Sequence, residues 1–233
     1  MMKGHSKAKV NSFVKAAAAL VLSAGLILTG TSLLPTAVFA AEGDGAATMY
    51  AADYATFEEQ QAAAAQLNQD MADEAFILLK NADNMLPFDV GVKNISVFGV
   101  RSDNLQMGGG GSGSSSSDNP MTLAEALTDA GFNLNPKLQA IYARDNNPTV
   151  EADVSVLTYA QQSYQLYNDA ALVVFSRPGS EFTDNAAYNV AGHSDPTDHT
   201  LMLQDNEKAL LEHVKENFNK VVVVINAPAP MEI

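Results

Sequence analysis

The sequence predicts an α/β fold, a three-layer sandwich with a mostly parallel sheet between helices, incomplete at its carboxyl end. Three observations predict it. Short apolar runs at 94–100, 170–175 and 220–226 do not alternate with polar residues, as expected of strands buried on both faces. Amphipathic stretches with a 3.6-residue period separate them. Of the 233 residues, 47% are hydrophobic and 17% charged, which supplies a core and excludes disorder throughout.

A helix is expected from Thr56, because Thr56-Phe57-Glu58-Glu59 has the capping-box form in which each side chain satisfies an orphan amide. Leu67, Met71, Ala75 and Leu78 continue it as one stripe, and residues 81–87 stop it. Ile95, Val97, Phe98 and Val100 form the first strand. Thr122-Leu123-Ala124-Glu125 repeats the capping box, and Leu123, Ala126, Leu127 and Ala130 give a helical face closed by Gly131. A short helix is expected over 136–144 and a longer polar one over 156–169, before the second strand. Asp205 is placed to cap a helix with Leu210, Leu211, Val214 and Phe218 on its buried side. Four valines and an isoleucine then make the third strand. Three strands are few for an open doubly wound sheet, so the chain is expected to be cut short.

Charge divides the chain. The first forty residues hold four lysines and no acid, and the remainder carries a net charge of −18. Such a field repels phosphate backbones and disfavours anionic lipid, so no nucleic-acid partner is expected. Lys3, Lys7, Lys9 and Lys15 precede an apolar run at 16–34, then Pro35 and Val38-Phe39-Ala40. That layout predicts a secretory signal over 1–40, followed by a linker over 41–55 and an exported body. The alternative is an uncleaved anchor, since the run approaches the roughly 20 residues that span a bilayer.

No cysteine is present, which excludes disulfides, thiolate metal sites and a cysteine nucleophile. His193 and His199 lack the i, i+4 spacing of a metal pair, and His213 falls on the polar side of its helix. No metal or other cofactor is expected. There is no G-x-S-x-G elbow for an esterase. Asn94-Ile95-Ser96 matches a glycosylation sequon but opens a strand.

Ligands of such folds bind at the carboxyl ends of the strands. The first loop there, 101–119, contains Gly108-Gly109-Gly110-Gly111-Ser112-Gly113. It lacks the Gly-Lys-Ser/Thr of a P-loop and does not lead straight into a helix. Its composition is that of a linker, but a linker between a strand and a capped helix of one domain would be misplaced, which leaves backbone that must pass close to a ligand or another domain. The second, 176–184, contains Arg177, Glu181 and Asp184. A carboxylic acid there can donate a proton if desolvation raises its pKa, while a guanidinium pulls the other way. On residue types alone, a solvated loop carboxylate is the expected reading, because Asp and Glu are usually exposed and idle.

Glu74-Ala75-Phe76-Ile77-Leu78-Leu79-Lys80-Asn81 with Asn84-Met85-Leu86-Pro87-Phe88 resembles the opening signature of the α/β sandwich domain of glycoside hydrolase family 3, the β-glucosidase family. Further segments of residues 58–233 resemble that family in order: Ile95-Ser96-Val97-Phe98-Gly99, the glycine loop, Thr122-Leu123-Ala124-Glu125-Ala126-Leu127, and the stretches 171–177, 203–211 and 220–232.

The resemblance implies a retaining glycosidase. In that family a (β/α)8 barrel supplies an aspartate nucleophile and the sandwich domain a glutamate acid/base, set about 5 to 5.5 Å apart across the glycosidic bond. Glu181 is the candidate acid/base, standing where the family commonly has S-R-x-x-G-E-G-x-D; Ser180 and Phe182 replace two of that pattern's glycines. Arg177, Asp184, Gly110 and Ser112 are the candidate contacts to an oligosaccharide or β-glucoside substrate. A barrel takes about 200 residues or more and has no room here, so it is the missing partner, expected downstream as in members with reversed domain order. The competing functions are a non-catalytic exported carbohydrate-binding or interaction module and a flavodoxin-like nucleotide binder.

Overall fold

The structure, a computed structural model, describes residues 53–114, 121–143, 149–181 and 184–233. The expected signal and most of the linker lie outside the described residues. Four strands, β1 (Asn94–Phe98), β2 (Asn133–Leu134), β3 (Ala170–Ser176) and β4 (Val221–Asn226), form one sheet in the order β2-β1-β3-β4, with every pairing parallel. The helices are α1 (Phe57–Ala75), α2 (Leu123–Asp129), α3 (Pro136–Tyr142), α4 (Gln161–Tyr164) and α5 (Asp205–Asn217). The expected α/β layering is present.

Successive strand side chains point to opposite faces, and each face has its own core. Ile95, Val97, Ala170, Leu172 and Val174 meet Leu123, Ala126 and Leu127 of α2. Phe98, Ala171, Val173 and Phe175 meet α3, α4 and α5 through Leu138, Tyr142, Tyr164, Leu210 and Val214. Phe98, Tyr164 and Phe218 close that second layer edge to face or tilted, with ring centroids 5.1 to 5.7 Å apart. Burying each such ring contributes about 1.5–3 kcal/mol relative to leaving it in water. Central β3 is buried along its whole length, which is why its sequence shows no alternation.

Both capping boxes form, at Thr56 with Glu59 and at Thr122 with Glu125. Other expectations are corrected. Strand β2 has two residues, too few and too polar to leave a pattern. It is fastened by Asn133 N–H to Lys93 O (2.7 Å) and Asn135 N–H to Ile95 O (3.0 Å). The helix expected over 156–169 is a 3₁₀ turn, Val154–Tyr159, followed by one turn of α4. The β-branched Val154, Val156 and Thr158 disfavour a regular α-helix there. Helix α1 ends at Ala75, and its stripe is not core: Leu67 and Met71 are more than half exposed, and only Ala72 is buried. The first turn of α5 is closed by Glu207, which accepts from Gln204 N–H (2.9 Å). Asp205 instead accepts from Ser194 N–H (2.7 Å). His213 is half-buried against Tyr164, its Nε2 3.2 Å from the phenol oxygen.

The strand order places a topological switch point between β1 and β3. From β1 the chain leaves toward α2 on one face, and from β3 toward α5 on the other, so their loops part over a crevice. Gly99 begins the first departure at φ +103°. A Cβ there would lie 2.4 Å from Val174 O, so the exit from β1 requires glycine.

Candidate active site

Three loops meet at the carboxyl edge of the sheet. Asn226, the last residue of β4, uses its Oδ1 to accept from Gln106 N–H (2.8 Å) and Ser176 Oγ (3.0 Å), joining the ends of three strands' territories. Gly110 N–H donates to Gly179 O (2.8 Å), and Gly110 pairs with Ser180 in a short parallel bridge. Gly179 lies against Pro228 so closely that a Cβ would sit 2.9 Å from the proline Cγ. The glycine loop is therefore tied to the loop after β3 and is not a free linker. It is the wall against which the loop after β3 is built.

Glu181 stands on that wall. Ser112 N–H donates to its Oε2 (3.0 Å) and Ser112 Oγ–H to its Oε1 (2.5 Å), so each carboxylate oxygen has one donor from the same residue. The Ser112 hydroxyl, and after it the Ser112 amide, hold the exposed Glu181 carboxyl below the ordinary carboxylate range, with desolvation opposing weakly. Gly111, at φ +70°, lets the two segments approach: a Cβ there would lie 2.9 Å from Glu181 Oε2. Gly110 does the same for Ser180, whose Oγ would be 2.2 Å from a Cβ at 110. The serine that stands in place of a glycine at 180 thus occupies space left by the glycine at 110.

Arg177 is committed elsewhere. Its guanidinium is buried and makes a bidentate pair with Glu207, Nη1 to Oε1 and Nη2 to Oε2 at 2.7 Å each. Its remaining N–H groups donate to Thr200 O (2.6 Å), Met202 O (2.7 Å) and Ser176 O (3.0 Å). All five donors are used within the chain, so this side chain fastens the loop rather than reaching into the crevice. Asp184 is exposed, and the two residues that connect it to Glu181 lie outside the described residues. Arg101, at the exit of β1, is 7% exposed and its Nε has no partner among the described residues. Desolvation, and then the nearby Arg177 charge, lower its pKa.

The family model described as the glycosyl hydrolase family 3 C-terminal domain matches residues 76–233, more than half of the chain. The chain belongs to glycoside hydrolase family 3. Solved structures of beta-glucosidase 3B from Thermotoga neapolitana share the fold of this family 3 domain. The complex with glucose is 21% identical, covers 76% of this chain and 25% of that one, and has a TM-score of 0.57. The complex with glycerol is 23% identical over 72% of this chain and 25% of that one, with a TM-score of 0.55. The chain thus spans about a quarter of the length of these structures. No curated protein matches the chain.

Within the family 3 domain, the structure brings Glu181, Ser112 and Gly110 together and leaves Arg177 and Asp184 out of that cluster. Sequence reasoning missed Asn226, Gly111 and Gly179. Asn226 was visible as the one polar residue closing a valine strand. The other two are glycines whose tight contacts lie with residues 49 or more positions away, a separation that spacing does not reveal.

Proposed function

We propose that this domain supplies the acid/base of a secreted, retaining β-glucosidase-type glycoside hydrolase, with Glu181 as that group. The single observation that carries the reading is the placement of Glu181 at the mouth of the β1/β3 switch point, against the glycine loop, in a family 3 fold. In the first half-reaction its carboxyl proton passes to the glycosidic oxygen. The C1–O bond breaks as an aspartate carboxylate forms a bond to C1 from the opposite face. In the second, the Glu181 carboxylate takes a proton from water as that water's oxygen displaces the aspartate, so configuration is retained. The aspartate comes from a (β/α)8 barrel outside this chain, and the domain alone is inactive because the covalent route has no nucleophile. The substrate is a β-glucoside or oligosaccharide, and residues 1–40 direct export.

One observation favours a second reading. A carboxylate held ionised by two donors suits acceptance of hydrogen bonds from sugar hydroxyls, as in a non-catalytic carbohydrate-binding module. The test is the barrel-containing enzyme assayed on aryl β-glucosides with and without Glu181→Gly. Poor leaving groups need protonation and good ones do not, so the variant should lose far more on the poor ones. Equal losses on both would reject the acid assignment and favour the binding module.

A further inference from the structure

The contact between Ser112 and Glu181 is a built feature. Ser112 lies in a 3₁₀ turn, Gly111–Gly113, that closes on itself through Gly109 N–H to Gly113 O (3.0 Å) and Ser114 N–H to Gly111 O (3.1 Å). The turn is registered to the Glu181 loop by the Gly110 to Gly179 hydrogen bond and by the Gly110–Ser180 bridge. Gly111 keeps open the space that the carboxylate fills. The two donors of Ser112 then meet the two oxygens of Glu181 one to one.

We propose that Ser112 is a positioning residue for Glu181 rather than a sugar ligand, and that the glycine loop is a latch that selects the carboxylate form. The chemistry of the two donors gives the latch its direction. An amide N–H can only donate, so a proton on Oε2 would take away its charged acceptor and weaken the Ser112 N–H contact. A serine hydroxyl can donate or accept, so a proton is tolerated on Oε1 only if the Ser112 hydroxyl turns round to accept it. The latched state is therefore the ionised base of the second half-reaction. The acid of the first must carry a proton aimed at the glycosidic oxygen rather than at Ser112, and so gives up the charge-assisted form of these contacts. This deepens the acid/base reading of Glu181 and rests on it for its catalytic meaning. The latch itself is a property of the domain alone.

The test is a carbon-13 NMR pH titration of the side-chain carboxyls of the full chain, with Glu181 assigned by loss of its signal in Glu181→Gln. In the wild type, Glu181 should titrate below the ordinary glutamate value of about 4.3. Ser112→Ala should move that midpoint upward, and Ser112→Thr, which restores the hydroxyl, should bring it back down. Gly111→Ala keeps Ser112 but pushes a methyl group against Glu181, and should also raise the midpoint. A wild-type midpoint within the ordinary range, or one that neither Ser112→Ala nor Gly111→Ala moves, overturns the latch. Should Ser112→Ala fail to fold, the wild-type midpoint and Gly111→Ala still decide. No substrate enters this measurement, so its failure is separate from that of the acid assignment, which the aryl glucoside series decides.

Discussion

Removing one member of the Arg177–Glu207 pair should be the most damaging single change in the domain outside its apolar core. Both side chains are about 5% exposed, and the pair is bidentate at 2.7 Å. Glu207 also accepts from Gln204 N–H, and Arg177 holds three carbonyls of the chain. In Glu207→Gln the side-chain volume is kept, but one end of the amide turns an N–H toward a guanidinium N–H and the buried arginine loses its counter-charge. Stranding one buried charge in this way costs about 3–5 kcal/mol. With a urea m-value of about 2 kcal/mol per molar for a domain this small, the unfolding midpoint should fall by about 1.5–2.5 M. Arg177→Lys should fall by a comparable amount, because one ammonium cannot reproduce a five-donor fork. The double variant Arg177→Met/Glu207→Leu removes both charges and should be more stable than either single change. The assay is equilibrium urea unfolding followed by circular dichroism. A loss below about 1 kcal/mol in Glu207→Gln, or a double variant less stable than both single variants, would refute the reasoning. The pair would then be worth no more than an exposed ion pair.

Arg101→Met should stabilise the domain by about 1–3 kcal/mol, because the buried Nε that lacks a partner among the described residues is removed while the apolar stem is kept; an unchanged or lower melting temperature would contradict this. Gly110→Ala should strain the bridge, since its Cβ would meet Ser180 Oγ. Ser180→Gly should relieve much of that loss, so a double-mutant cycle in urea should show coupling rather than additivity. His213 gives a pH dependence. Its pKa is lowered by burial, with Glu216 partly opposing. The folded state holds the imidazole neutral while the unfolded chain takes up a proton near pH 6.5, so stability is full above that value and declines as pH falls through it. His213→Gln should lose this component, and urea midpoints at pH 8 and pH 5 should show a smaller acid-side drop in the variant than in the wild type.

What the sequence made legible follows from how each feature is encoded. Strands β1, β3 and β4 are written locally, as continuous apolar runs, but only β1 and β3 are buried as expected; β4, at the edge of the sheet, is half-buried and leaves Val223 exposed. The capping boxes at Thr56 and Thr122 are written within four residues and form as read. Features decided at long range are poorly legible. Strand β2 exists because Lys93 and Ile95 offer carbonyls to residues 40 positions away. The stripe on α1 has the correct period, yet period records only which residues share a face and not whether anything covers it.

The candidate site divides the same way. The glycine loop and the Glu181 loop were identifiable as the loops leaving the carboxyl ends of two parallel strands, because that location depends only on chain order. Their contact depends on strand order β2-β1-β3-β4, which makes neighbours of β1 and β3 although α2, β2, α3 and α4 separate them in sequence. The same adjacency decides what the polar residues do. Arg177 and Glu181 are four residues apart, and at that distance a guanidinium is a natural partner for the carboxylate. Arg177 is instead drawn to Glu207, 30 positions on, and the role of donor to Glu181 passes to Ser112, 69 positions back. The electrostatic consequence differs from that of a guanidinium. A serine and its amide favour the carboxylate through neutral contacts, one of which a turned hydroxyl can exchange, whereas a buried arginine would fix the charge. Committing Arg177 to Glu207 thus leaves Glu181 held by two neutral donors of Ser112 rather than by a fixed positive charge.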